Sequence, residues 1–201
     1  MSPEEQAHIE RLATGLNLAG FVLRDCIACG DFGCTFWTNH PNVVAKIGRQ
    51  WSELQFAQAI IEQDLQHPNL PQILEVYDLR EALEAPYYGI IREDIPDLTD
   101  IDTSHESWLN DVLADLDYQA EDAETSDELL DIAVDILTSR PGAPRDELIF
   151  EKIAELTAWC YDHGILLGDT LASNFGRASN GEIKLRDLGG ARFRDINGDW
   201  H

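Results

Sequence analysis

Four short segments of this 201-residue chain carry side chains whose types and order could handle a nucleoside triphosphate. Ala28-Cys29-Gly30-Asp31-Phe32-Gly33 lies between two β-like runs, and Val44-Ala45-Lys46 follows in a third. Far downstream come Gly168-Asp169-Thr170-Leu171-Ala172-Ser173-Asn174, with an acid and an amide five positions apart, and then Arg186-Asp187-Leu188-Gly189. Phosphoryl transfer from ATP needs backbone cover over the phosphates, a lysine to hold them, carboxylate and amide ligands for Mg²⁺, and a carboxylate facing the acceptor. Each segment alone is commonplace: a Gly-x-x-Gly is usually a hairpin turn, and a Val-Ala-Lys is usually a strand with a solvated lysine. All four in this order are much harder to obtain by chance.

These residues need elements to position them. Ser2-Pro3-Glu4-Glu5 combines an N-cap serine, a proline at the first helical position and a glutamate that completes a capping box, predicting a helix to about Leu18. Phe21 to Ile27, Cys34 to Thr38 and Val43 to Ile47 read as strands, the first two joined by the Gly30/Gly33 turn. Trp51 to about Gln66 has helical periodicity, stopped by His67-Pro68-Asn69-Leu70-Pro71; Ile73 to Tyr77 and Tyr87 to Ile91 are two further strands. Glu93 to Ser139 contains no Lys or Arg, and about a third of it is Asp or Glu. Trp108, Leu109, Val112, Leu113 and Leu116 recur there at helical spacing, as do Leu129, Leu130, Ala133, Val134 and Leu137, predicting two amphipathic acidic helices joined by Gln119 to Ser126. A third helix is expected over Asp146 to Asp162, and a hairpin through Ser179-Asn180-Gly181.

With the elements in place, the chain resembles the eukaryotic-type protein kinase family. Gly30 and Gly33 are similar to the second and third glycines of its Gly-rich loop, Lys46 to its strand lysine, and Asp169 with Asn174 to its catalytic-loop pair. Asp187-Leu188-Gly189 is similar to its Asp-Phe-Gly, and His67-Pro68-Asn69-Leu70 to the turn after its regulatory helix. The resemblance implies an α+β, kinase-like two-lobed fold: residues 1–95 as an N-terminal helix and a five-stranded antiparallel sheet with one helix, residues 96–201 as a reduced, mostly helical lobe with an acidic insertion at about 96–145. It implies ATP and Mg²⁺ as cofactors, with Gly30, Asp31, Phe32, Gly33 and Lys46 on the nucleotide, Asn174 and Asp187 on the metal, and Asp169 at the acceptor hydroxyl of a protein substrate. The family also pairs its lysine with a helix glutamate. Glu53 and Glu62 are nine positions apart and so on opposite helix faces; Glu53 falls within the apolar face and is favoured, with a surface ion pair as the other reading.

The differences from the family are specific. Ala28 replaces the first glycine, Leu167-Gly168 stand where the family has His-Arg, and Leu171 stands where serine/threonine kinases carry a lysine. A dozen residues follow Gly189, too few for the family's activation segment and later helices.

Composition narrows the partners. Fourteen basic against 38 acidic residues give a net charge of −24, which repels nucleic acid and anionic membranes. The acidic N-terminus is unlike a secretion signal and no apolar run is long enough for a membrane span, so a cytoplasmic protein is expected. Four cysteines are too sparse for a disulfide scaffold, and reduced thiols are the simpler expectation. Cys26-x-x-Cys29-x4-Cys34 suggests zinc or an iron-sulfur cluster but lacks an obvious fourth ligand. Two functions stay open at this point: a compact ATP-dependent phosphotransferase, or a pseudokinase or acidic module or polyanion mimic that docks a basic protein partner.

Overall fold

The computed structural model describes residues 2–83, 86–98, 103–196 and 198–201. The chain divides into two compact units, Met1–Gln66 with Pro71–Asp94, and His67–Leu70 with Ile95–His201.

In the first unit Ser2 caps helix α1 (Pro3–Ala13): its hydroxyl accepts from Glu5 N at 3.2 Å, and the Glu5 carboxylate accepts from Ser2 N at 2.8 Å. The helix stops short of the expected Leu18. Gly15 is left-handed (φ 84°), and its N–H donates to Leu23 O, while Leu16 O accepts from Leu23 N; these groups have left the helix ladder for a strand. Asn17–Leu18 is strand β1, folded onto β2 (Phe21–Cys29) through a two-residue turn at Ala19 and Gly20 with φ of 47° and 103°. Positive φ at both central residues matches the twist of paired strands, and Asn17 Oδ1 holds the turn by accepting from Gly20 N at 2.8 Å.

Strands β3 (Gly33–Thr38), β4 (Val43–Gly48), β5 (Ile73–Asp78) and β6 (Tyr88–Glu93) complete an antiparallel sheet in the order β1-β2-β3-β4-β6-β5. The five-stranded kinase-like architecture expected from the sequence is thereby overturned: the sheet has six strands and curls into a nearly closed barrel. Two causes are visible. The short β1 adds an edge, and two register shifts in β2, between Leu23 and Cys26 and between Cys26 and Ala28, bend the strand. Closure brings the two ends of the sheet together; a Cβ on Gly89 of β6 would stand 3.2 Å from both Leu18 and Leu79 side chains. Ile9 and Ala13 of α1 plug the barrel, packed among Leu23, Cys34, Phe36, Ala45, Ile47 and Ile91. The opposite face of β4 is met by α2 (Trp51–Glu62); a four-residue helix, α3 (Arg80–Leu83), follows β5.

The cysteine expectation also changes. Cys29 and Cys34 are directly paired residues of β2 and β3 and are disulfide-bonded. Cys26 stays a thiol, pushed up to about 11 first by burial and then by the Glu10 carboxylate.

The second unit is not simply helical either. Helices α4 (Thr103–Ala120), α5 (Ser126–Ser139) and α6 (Pro144–Asp162) bury Leu109, Val112, Leu113, Leu116, Leu129, Ala133, Ile136, Ile149, Phe150 and Ile153. Leu130 and Val134, expected in the buried stripe of α5, are exposed, because the contact face runs through Leu129, Ala133 and Ile136. After α6 come β7 (Ile165–Leu166), a single 3₁₀ turn at Ala172–Asn174, β8 (Phe175–Arg177), β9 (Ile183–Leu185) and β10 (Arg192–Phe193), paired β7 with β10 and β8 with β9. Among the described residues no helix is long and apolar enough to cross a membrane.

If α1 is the plug of the barrel, Ile9→Ala should cost about 2–5 kcal/mol in chemical denaturation, the range for emptying a closed core. A loss below about 0.5 kcal/mol would mark α1 as a surface helix.

Candidate functional site

In the first unit, β2 and β3 close on a hairpin whose tip is Gly30-Asp31-Phe32-Gly33, with Gly30 N donating to Gly33 O at 2.9 Å. Gly30, Asp31 and Phe32 are exposed at this tip, whereas Gly33 is buried against β4. A Cβ on Gly33 would lie 2.4 Å from Ile47 O, so that glycine is dictated by packing. The tip also carries the Asp31 carboxylate, a like charge to any phosphate.

Lys46 lies on β4, paired across the sheet with Thr35 and Ile90 and only 8% exposed. Its Nζ is 2.8 Å from Glu53 Oε1, and Glu53 Oε2 accepts from the Tyr88 hydroxyl at 2.7 Å. Glu53 is 1% exposed on the inner face of α2, while Glu62 is exposed. Sequence reasoning missed two participants. Tyr88 sits on β6 opposite Gly48, and a Cβ on Gly48 would stand 2.6 Å from the Tyr88 oxygen; the glycine makes room for the ring to reach Glu53. Lys46 is therefore no solvated strand lysine.

In the second unit the loop chemistry rests on two nested antiparallel pairings. Leu166 pairs with Arg192, and two residues further along the same register Gly168 meets Gly190. A Cβ on Gly168 would be 2.7 Å from Gly190 O, and one on Gly190 (φ 78°) would be 2.9 Å from Gly168 O and 3.1 Å from Asp169 Cβ. Two glycines let these backbones touch, which accounts for Gly168 where the family resemblance would place arginine. The inner hairpin pairs Phe175 with Leu185, and just beyond it the Asn174 carbonyl accepts from Arg186 N at 2.7 Å and Asp187 N at 3.3 Å. Asn174 and Asp187 are thus neighbours through their backbones.

Asp169 occupies the bend between the two pairings, exposed, with φ 57°. Asn174 Nδ2 donates to Asp169 O at 2.6 Å and lies 3.4 Å from its carboxylate. The amide nitrogen is committed there, which leaves Asn174 Oδ1 as the atom suited to a cation. Asp187 Oδ1 accepts from Gly189 N at 2.9 Å, a local turn that fixes the carboxylate. Oxygen donors of this kind suit Mg²⁺. Arg186 is ion-paired with Asp97, and a cavity of about 300 Å³ opens beside the loop, lined by Asp97, Leu98, Glu106, Ala172, Ser173 and Phe175.

Two loop anchors come from the acidic helix and were not legible in sequence. Asn110 Oδ1 accepts from Ala172 N at 2.8 Å, and the Asp117 carboxylate accepts from Thr170 N at 2.9 Å and the Thr170 hydroxyl at 2.5 Å. Seven residues apart, they lie two turns along one face of α4. Burial raises the Asp117 pKa and the Asp169 charge adds to the rise; the Thr170 donors and Arg192 oppose it.

Compared with known proteins, the chain matches no family model and no curated sequence. The reading of these residues therefore stands on their chemistry and geometry alone.

Two outcomes follow. Lys46→Met strands a buried carboxylate and should destabilise the chain by about 3–5 kcal/mol in urea unfolding, with Lys46→Met/Glu53→Leu recovering most of it; equal losses in both would show that the pair is not the cause. For Asp117, a raised folded-state pKa means that the native state holds its proton longer than the unfolded state. Its contribution to stability is present at low pH and is lost as pH rises from the ordinary aspartate range through the raised value. Asp117→Asn should flatten that part of the wild-type stability profile, measured by thermal melts across the acid range; an unchanged slope would refute the assignment.

Proposed function

We propose that the chain is an ATP- and Mg²⁺-dependent phosphotransferase that acts on a protein hydroxyl, in the cytoplasm where the nucleotide is supplied. The observation that carries this reading is the second unit's loop, in which Asp169 sits at a held bend, Asn174 hydrogen-bonds it, and Asp187 adjoins Asn174. Binding alone would not call for an exposed carboxylate held at such a bend. Asp169 takes the proton of the acceptor hydroxyl as its oxygen bonds to the γ-phosphorus and the bond to the β-phosphate oxygen breaks, releasing ADP. In the second unit Asn174 Oδ1 and Asp187 would hold a divalent metal that offsets phosphate charge; in the first unit, taken by itself, Lys46 and the backbone of the Gly30–Gly33 tip are the groups suited to phosphate. Glu53 and Tyr88 fix the position of Lys46. Leu171 is 42% exposed where a second cation would help, so slow turnover is expected.

A second reading has its own support. Asp111, Asp131 and Asp135 are exposed on the acidic helices, and Val134 beside them is 60% exposed, a surface suited to a basic partner. Asp115 is drawn off that surface by Arg140 at 2.9 Å.

Asp169→Asn separates the two. On the enzyme reading Mg·ATP affinity stays within a few-fold while phosphoryl transfer, read with γ-labelled ATP and mass spectrometry of phosphosites, falls by about 10² or more. Unchanged activity in Asp169→Asn, with the biological effect abolished by neutralising Asp111, Asp131 and Asp135, would make docking the function. Nucleotide stabilisation should also require the metal: equal thermal shifts with ATP in EDTA and in Mg²⁺ would refute the roles of Asn174 and Asp187.

A further inference from the structure

Cys26 and Cys29 are three positions apart, an odd spacing that on a regular strand puts two side chains on opposite faces. The register shift of β2 between Cys26 and Ala28 inserts one residue and reverses that parity: Cys26 pairs with Phe36, while Ala28 pairs with Thr35 and Cys29 with Cys34. All three cysteines consequently share the face that looks toward α1. Cys26 Sγ is 3.5 Å from Cys29 Sγ, and the three sulfurs lie within 4.8 Å of one another. From α1, Glu10 brings its Oε1 to 3.8 Å from Cys29 Sγ.

We propose that, with the Cys29–Cys34 bond reduced, Cys26, Cys29, Cys34 and Glu10 form a tetrahedral site for a zinc-like divalent cation. Metal–sulfur bonds of about 2.3 Å and metal–oxygen bonds of about 2.0 Å place tetrahedral sulfurs about 3.7 Å apart and sulfur and oxygen about 3.5 Å apart. The 3.5 Å and 3.8 Å separations are each within a few tenths of an ångström of these values; the Cys29 and Cys34 sulfurs must part on reduction, and the Glu10 carboxylate, which meets Cys29 but does not lie within 4.8 Å of all three sulfurs, must swing in to complete the set. Glu10 supplies the fourth ligand that the cysteine spacing lacks in sequence. Three thiolates and a carboxylate carry the same formal charge as the four thiolates of a common structural zinc site. Cys34 is fully buried, Cys26 and Cys29 are part-buried, and Glu10 is exposed, so the cation is reached from the helix side.

The disulfide and the metal exclude each other. A dithiol reductant, itself oxidised to a disulfide, delivers two electrons and two protons to break the Cys29–Cys34 bond. Cation binding then displaces three thiol protons. The site is independent of the phosphotransferase reading, since none of its ligands belongs to the assigned nucleotide or metal residues.

The test is Co²⁺ titration of the full chain after dithiol reduction and anaerobic desalting, followed by competition with Zn²⁺. The expected result is one equivalent of Co²⁺ with a thiolate-to-cobalt charge-transfer band and tetrahedral ligand-field bands, both lost to Zn²⁺, and no such bands in the oxidised protein. Cys26→Ser and Glu10→Gln should each weaken binding by about tenfold or more. Glu10 is exposed on α1, so its variant keeps the fold even if Cys26→Ser does not, and circular dichroism reports on both. Absence of the charge-transfer band in reduced wild type, equal bands in the oxidised protein, or unchanged affinity in Glu10→Gln would overturn the proposal.

Discussion

With 38 carboxylates and 14 Lys and Arg side chains, a carboxylate drawn out of water in this chain must usually find an N–H or O–H in place of a cation. That scarcity shapes both units. Glu53, almost wholly buried, receives one of the few lysines and still needs the Tyr88 hydroxyl for its second oxygen, so β4, α2 and β6 are tied at one point. The Asp117 carboxylate, with Arg192 acting on it only as a nearby charge, takes two donors from Thr170, tying α4 to the loop that carries Asp169. Glu147 accepts from Gly142 N and Glu128 from Glu124 N, each fixing a turn with an acid and a backbone amide, and Glu93 accepts from Gln72 N where β5 and β6 run side by side. The acidic composition thus works as a set of backbone clamps, beyond its role as a solvated coat.

What was legible in sequence was local. The capping box at Ser2, the Gly30/Gly33 hairpin, the helix from Trp51 and the two acidic helices are set by contacts within a few residues, and periodicity or turn chemistry reports them. Helix phase turns Glu53, and not Glu62, toward the apolar face, and Glu53 is the one that meets Lys46. The segmental order of Lys46, Asp169, Asn174 and Asp187 was equally open to reading, because each belongs to a short motif.

What was not legible depended on long-range geometry. A two-residue strand at Asn17–Leu18 has too little length to show alternation, and its hydrogen bonds go to Leu23, so helix propensity extended through it. The bulge in β2 changes which face Cys26 occupies, and no side-chain pattern marks it. Asn110 and Asp117 are hidden among many acids of similar spacing, and only the loop folded against α4 distinguishes them. In sequence Gly168 is a departure from the pattern of the family that the chain resembles. The crossing with Gly190 shows that any Cβ there would strike a carbonyl. The overall architecture failed for the same reason: the motifs specify turns and side chains, while six strands curling round α1 are specified by bulges and closure.

A misjudged architecture does not decide the chemistry, because function resides in sites and not in folds. What bears on the chemistry is the field around Asp169. The Asp169 charge contributes to the raised pKa of Asp117, so the two carboxylates sense one another across the loop. The position that would hold a compensating lysine is Leu171, and the arginine next to Asp187 is turned toward Asp97. A loop of mutually repelling carboxylates with its cations drawn elsewhere offers a phosphate no attraction of its own. It does attract a divalent cation, and through that cation a phosphate. On the proposed reading, recruitment of the nucleotide to the second unit is therefore a consequence of metal binding, whereas in the first unit the buried Lys46 is already neutralised by Glu53 and contributes position more than charge.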